Sequence, residues 1–225
     1  MTLSFRHALP TLPPGLALRI CRLDDDGDIA LHQAASTLAK VELDRAAAFN
    51  FDRDRNRFVR ARGFLRREVS AVLGYHPEKL AIRIGPHGKP FVDGHSLGFN
   101  LSHSAGLAVL ALNADGPVGV DVESLALVRN TADLCETCLT FAERNALKAA
   151  PDASRDSRFL AFWTAKEAAV KLTGTGWSVE PKTVELSLVG GLPMAVQTPP
   201  ARLISIPVPG HLCYMALPAN EEASR

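Results

Sequence analysis

The chain has 225 residues, 47% of them hydrophobic and 22% charged, an ordinary globular composition that excludes a disordered or collagen-like chain. Lys plus Arg at 25 against Asp plus Glu at 24 leaves a net charge of +1, which speaks against a general nucleic-acid binder. No apolar stretch reaches the length of a membrane span, and the first residues run into Pro10, Pro13 and Pro14 instead of an apolar signal core, so the chain reads as soluble and cytoplasmic.

Leu16 to Arg22 alternates apolar and polar residues, which predicts a strand closed by Asp24, Asp25, Asp26 and Gly27. A helix is expected over about 34–48. A longer one follows Asp52, where Phe58, Ala61, Leu65, Val69 and Val72 recur at helical spacing and Gly74 stops the run. Arg53, Arg55, Arg57, Arg60, Arg62, Arg66 and Arg67 crowd this segment and predict a local positive field able to draw in a small polyanion. Leu80 to Ile84 alternates again and enters Gly85-Pro-His-Gly-Lys-Pro, a turn by composition, with Lys89 near its tip. Phe99-Asn-Leu-Ser-His-Ser stands just before a strand. Its Ser102, His103 and Ser104, beside a flexible Ala105-Gly106, offer donors that could wrap an anionic group.

Strands are expected near 107–112 and 117–123. In the second, Val118, Val120 and Val122 point one way while Gly119, Asp121 and Glu123 point the other. Two carboxylates beside a glycine that leaves open space suit Mg²⁺; a solvated outer strand face is the plainer alternative. Cys135 and Cys138 form a Cys-x-x-Cys with no second pair, and read as structural side chains along a helix. A helix is expected near 141–149 and a strong one near 156–173, closed by Gly174 and Gly176. On it, Glu167 and Lys171 share a face, as a surface ion pair or as a base beside a phosphate clamp. Further strands are expected near 183–189, 203–208 and 212–217, then a frayed tail from Asn220 to Arg225. The halves echo each other, since Arg57-Phe58 and Arg158-Phe159 each open a helical run that ends in glycine. A duplicated helix-plus-sheet unit with a cleft between the halves follows from that pattern.

Each motif is weak alone, but Gly88-Lys-Pro, Phe99-Asn-Leu-Ser-His-Ser, Gly119-Val-Asp-Val-Glu and Phe162-Trp-Thr-Ala-Lys-Glu-Ala with Lys171 occur in that order. The series resembles the 4′-phosphopantetheinyl transferases of the surfactin-synthetase-activating type. The resemblance covers about 85–175 and, more loosely, the Arg57-to-Arg66 helix. It implies an α+β, pseudo-twofold fold of two similar subdomains, at 1–112 and 113–225, with the active site in the cleft. It also implies Mg²⁺-dependent transfer of 4′-phosphopantetheine from coenzyme A to a serine of an apo acyl or peptidyl carrier protein, by a monomer. Asp121, Glu123 and Glu167 match metal ligands, and Glu167 is also the candidate base. Lys171 matches a pyrophosphate contact and acid; Ser102, His103, Lys89 and Lys166 match coenzyme A contacts, and Arg57 the arginine near the 3′-phosphate. Glu143 loosely matches an acidic position ahead of the catalytic helix. Lysines that some members carry near the N-terminus have no clear counterpart, and Arg19 and Arg22 are possible substitutes. A hydrolase built on Ser102 and His103 and a non-catalytic coenzyme A sensor remain as rival readings.

Overall fold

The computed structural model describes residues 11–127 and 131–219; the expected frayed tail at 220–225 lies outside them. The first half opens with β1 (Leu16–Arg22) and two short helices, α1 (Leu31–Ser36) and α2 (Lys40–Ala47), ahead of the long α3 (Asp52–Leu73). A small hairpin of β2 (Ile82–Ile84) and β3 (Pro90–Val92) precedes β4 (Gly98–Ser104) and β5 (Leu107–Asn113). Antiparallel pairing in the order β1-β5-β4 places Arg19 opposite Leu110 and Phe99 opposite Leu112.

The second half repeats the plan. After β6 (Gly119–Ser124) come α4 (Ala132–Cys138), α5 (Phe141–Lys148) and the long α6 (Asp152–Thr173), followed by β7 (Glu185–Val189), β8 (Leu192–Thr198), β9 (Ala201–Ser205) and β10 (His211–Pro218). The sheet order is β6-β10-β9-β8-β7, antiparallel throughout. Both long helices have 22 residues, and both end where a glycine takes the left-handed conformation, Gly74 at φ 75° and Gly174 at φ 71°. The mixed α+β architecture in two similar halves is the one expected.

Three apolar clusters hold the molecule together. Phe64, Leu65 and Val69 of α3 pack on Phe99, Leu110 and Leu112; Phe159, Phe162 and Ala165 of α6 pack on Leu186, Val196 and Ala216. Between the two sheets, Val109 and Ala111 meet Val118, Val120, Val122 and Met215. The β5 strand is therefore buried on both faces, which is why its sequence is a continuous apolar run and not an alternating one.

Local expectations fail where tertiary partners intervene. The helix expected at 34–48 is two helices, because the Thr37 hydroxyl donates to the Ala34 carbonyl at 2.8 Å and Glu42 accepts from the Ala39 amide at 3.0 Å. The α6 helix begins at Asp152, a turn earlier than expected, and the strand expected over 203–208 ends at Ser205. The β3, β4 and β8 strands were absent from the sequence reading. Among the described residues, no helix is long and apolar enough to cross a membrane.

Candidate active site

The site forms where β6 lies against α6. Gly119 is required there, but not to leave open space: a side chain would strike the backbone of Ala168 and Leu172, so α6 fills the gap. This close approach brings the last turns of α6 over the carboxylate face of β6. Asp121 is only 2% exposed. Its Oδ1 accepts hydrogen bonds from Lys171 Nζ at 2.6 Å and Ser102 Oγ at 2.7 Å, while its Oδ2 is buried with no protein partner. Glu123, half-buried, accepts from Ser104 Oγ at 2.9 Å. Burial pushes the Glu123 carboxyl above its ordinary value, the Ser104 hydrogen bond opposes this, and the negative charges of Asp121 and Glu167 push it further up.

The partner of Lys171 is thus across the interface, on β6, and Lys171 also donates to Ser102 Oγ at 3.1 Å. Glu167 and Lys171 both border the cleft, as their shared helix face requires. Among the described residues, no three His, Cys, Asp or Glu side chains stand grouped as a metal cage. Asp121 and Glu123, on one face of β6, nevertheless suit a hard divalent cation in donor type. The orphaned buried oxygen of Asp121, and the Glu123 carboxyl discouraged from ionising first by burial and then by the Asp121 charge, would both be relieved by added positive charge.

The β4 strand carries polar side chains that mask it in the sequence. Every second residue aims a polar side chain at the edge of β6: Asn100 accepts from the Val120 amide at 2.8 Å, Ser102 from Val122 at 3.4 Å and Ser104 from Ser124 at 3.1 Å. Side chains here do the work of a missing strand backbone. Ser102 is therefore a buried bracket between Asp121, Lys171 and β6, not a hydroxyl open to a phosphate. His103 faces the other way and borders the cleft with its ring exposed. The surrounding protein and then the Lys171 charge hold its imidazole below the ordinary value. With Ser102 and His103 on opposite faces of one strand, the hydrolase reading loses its nucleophile–base pair.

Of two lysines expected at the coenzyme, one is buried away from the cleft and the other is hydrogen-bonded to backbone at its border. Lys166 is fully buried, paired with the equally buried Glu143 at 2.8 Å and donating to the carbonyls of Cys138 at 3.0 Å and Pro181 at 2.9 Å. That corrects the expected coenzyme contact: one residue before Glu167 on a helix points well away from its face. Glu143 also receives the Leu186 amide at 3.2 Å and closes a capping box with Thr140, so it ties α5, α6 and β7 together. Lys89 reaches from the β2–β3 turn and donates to three carbonyls, Val118 at 3.1 Å and Lys171 and Leu172 at 2.8 Å each. It is a cation capping the C-terminus of α6, although it also borders the cleft.

Burial pulls Lys89 down to about 8. A lysine whose folded value is depressed loses stability as pH falls through that value, so its contribution rises between about pH 8 and the unfolded value near 10.5. Lys89→Met should lower stability by about 1–3 kcal/mol, since buried carbonyls lose their donor. Urea melts across pH 7–10 should show the wild type gaining on the variant above pH 8. A constant difference would place Lys89 in a wetter setting than described.

The seven arginines of α3 do not act as a free positive field. Each is ion-paired: Arg53 with Asp54, Arg55 with Asp52, Arg57 with Asp24, Arg60 with Asp26, Arg62 and Arg66 with Glu42, and Arg67 with Glu68. Arg19 pairs with Glu68 and Arg22 with Asp28, and neither borders the cleft. Arg45, which the sequence reading overlooked, does border it, and its guanidinium lies 5.3 Å from the Phe58 ring centroid. Its signal was the helical spacing from Lys40 into Ala47, invisible until α2 is folded against α3. The cleft encloses about 670 Å³, with Arg45, Arg57 and His103 on the first-half side and Glu167 and Lys171 on the other.

Cys135 and Cys138 lie one turn apart on α4, Cys138 buried in the second-half core and Cys135 packed against it. The double variant Cys135→Ala/Cys138→Ala should keep the chemistry of the cleft within about twofold and lose about 1–3 kcal/mol of stability from packing alone. Loss of activity with unchanged melting would give these thiols a chemical role.

Two lobes of one plan, with a buried and a half-buried carboxylate beside an ammonium that borders an open cleft, have the features of an enzyme site. Comparison with known proteins makes the class specific. A family model described as 4′-phosphopantetheinyl transferase superfamily matches residues 117–206, and one described as 4′-phosphopantetheinyl transferase, N-terminal, matches residues 28–115. The 4′-phosphopantetheinyl transferase HetI of Nostoc sp. is 32% identical over 94% of this chain and 93% of its own. A phosphopantetheinyl transferase of Thraustochytrium sp. is 30% identical over 62% of this chain and 53% of its own. For the 4′-phosphopantetheinyl transferase psf-1 of Bacillus pumilus the figures are 32%, 72% and 69%. The chain belongs to the 4′-phosphopantetheinyl transferase family.

Proposed function

We propose that this protein transfers 4′-phosphopantetheine from coenzyme A to a serine hydroxyl of apo acyl or peptidyl carrier protein domains, releasing adenosine 3′,5′-bisphosphate. In this reading it is a holo-[acyl-carrier-protein] synthase of the surfactin-synthetase-activating type, a cytoplasmic monomer whose subdomains meet near residues 112 and 113. The observation that carries it is the juxtaposition of Asp121, Glu123 and Lys171, with Glu167 alongside, at the edge of a cleft whose far wall holds Arg45 and Arg57.

The chemistry follows from these side chains. The carrier's serine oxygen forms a bond to the phosphorus bearing the pantetheine arm, and the bond to the bridging oxygen of the pyrophosphate breaks. Glu167 takes the serine proton. Lys171, steered by Asp121 and Ser102, faces the leaving phosphate and meets its growing negative charge. Arg57 and Arg45 hold the anionic nucleotide end at the opposite wall. Asp121, Glu123 and Glu167 would hold Mg²⁺, which when bound supplies charge neutralisation on the phosphate oxygens. Intact mass spectrometry of a panel of apo-carriers with enzyme, coenzyme A and Mg²⁺ tests the reading. Modification of at least one carrier at its serine is expected; tight coenzyme A binding with no transfer to any carrier favours a sensor instead.

A further inference from the structure

The Arg57–Asp24 pair is a contact of a cleft cation that the proposed chemistry does not use. Arg57 donates to Asp24 through two nitrogens, Nε to Oδ1 at 2.6 Å and Nη2 to Oδ2 at 2.9 Å, a side-on fork that fixes the guanidinium plane. Arg57 borders the cleft; Asp24 is not among the side chains that do. Asp24 is itself held in place. The Leu23 amide donates to the Gly106 carbonyl at 2.7 Å, and a side chain on Gly106 would strike the Asp24 carboxylate. Gly106 belongs to the tight β4–β5 turn, where Ala105 takes φ 45° and Gly106 φ 82°. Both turn residues border the cleft, next to His103. The acidic loop after β1 thereby ties the direction of a helix side chain to the opposite strand turn.

We propose that Asp24 is a positioning residue that pre-orients Arg57 for the terminal phosphate of the nucleotide substrate. The Nε edge is engaged with Asp24, and the Nη1 donors are directed to the ligand. This rests on the reading that Arg57 contacts the 3′-phosphate of coenzyme A. Pre-orientation makes Asp24 a determinant of the preference for a 3′-phosphorylated nucleotide, with no contact of its own to the substrate.

Titration calorimetry with coenzyme A and dephospho-coenzyme A tests this without requiring transfer. Asp24→Ala should weaken coenzyme A about tenfold and leave dephospho-coenzyme A within about twofold, and Asp24→Asn, which keeps one acceptor oxygen, should fall between. The double variant Asp24→Ala/Arg57→Ala should bind coenzyme A no more weakly than Arg57→Ala alone, because the two act through one contact. Equal weakening of both ligands by Asp24→Ala would reduce it to a fold residue, and tighter coenzyme A binding would make it a competitor; either overturns the proposal. Should Arg57→Ala itself fail to distinguish the two ligands, the reading of Arg57 falls first, and that outcome is separate from a failure confined to Asp24.

Discussion

Asp121→Asn should cut the rate of phosphopantetheine transfer by about 10²-fold or more while the protein stays folded. The substitution keeps the shape of a side chain that is 2% exposed, and its remaining oxygen still accepts from Ser102 and Lys171. What it removes is the charge and the acceptor at Oδ2, the buried oxygen with no protein partner. The valine face of β6 is untouched, so the inter-sheet core stays intact. Thermal melts with and without Mg²⁺ give a second readout: the wild type should be stabilised by the ion and the variant should not. Turnover that stays near normal in Asp121→Asn and insensitive to EDTA would remove Asp121 from the metal-binding role.

The α6 pair Glu167 and Lys171 gives the second large effect. Glu167→Gln keeps the volume but removes the carboxylate proposed as the base, so kcat should fall steeply, by about 10²-fold or more. Lys171→Ala should lower kcat by a similar factor, because its ammonium matters most as the leaving phosphate gains charge. It should also destabilise, by about 1–3 kcal/mol, because it strips Asp121 of its cation and leaves a buried carboxylate held by Ser102. The double variant should lose less activity than the product of the single losses. If melting shifts in Lys171→Ala while kcat holds in both single variants, the cluster is structural and the active site lies elsewhere.

The cluster's acidity adds a sign to the metal dependence. The Glu123 carboxyl is held above its ordinary value, first by burial and then by neighbouring carboxylates, so in the ion-free protein its ionised form is disfavoured. Such a group contributes stability below its unfolded value, and that contribution is lost as pH rises through the raised folded value. Above that folded value the ion-free site carries an unrelieved charge, so stabilisation by Mg²⁺ should grow as pH rises through it. Glu123→Gln should flatten both trends in melts run across that range.

Local order was legible in the sequence wherever one residue's environment depends on its near neighbours. Helical spacing and terminal glycines set α3 and α6, alternation placed Val118, Val120 and Val122 in the core, and the repeated plan announced two lobes with a cleft. The candidate residues Asp121, Glu123, Glu167 and Lys171 were also named from their own strand or helix face. Tertiary structure alone decided what each of them meets. Spacing put Lys171 beside Glu167, but only packing across Gly119 put its ammonium on Asp121. Helix position could not tell that Lys166 is buried against Glu143, that Lys89 is consumed by the carbonyls at the end of α6, or that seven arginines are already paired. The β4 strand is the sharpest case, since its polar residues hide it until the edge of β6 supplies amides from which they accept. Periodicity reports which way a side chain faces; a charge or hydrogen-bond partner comes from chain far away in sequence, and only the assembled lobes bring it within 3 Å.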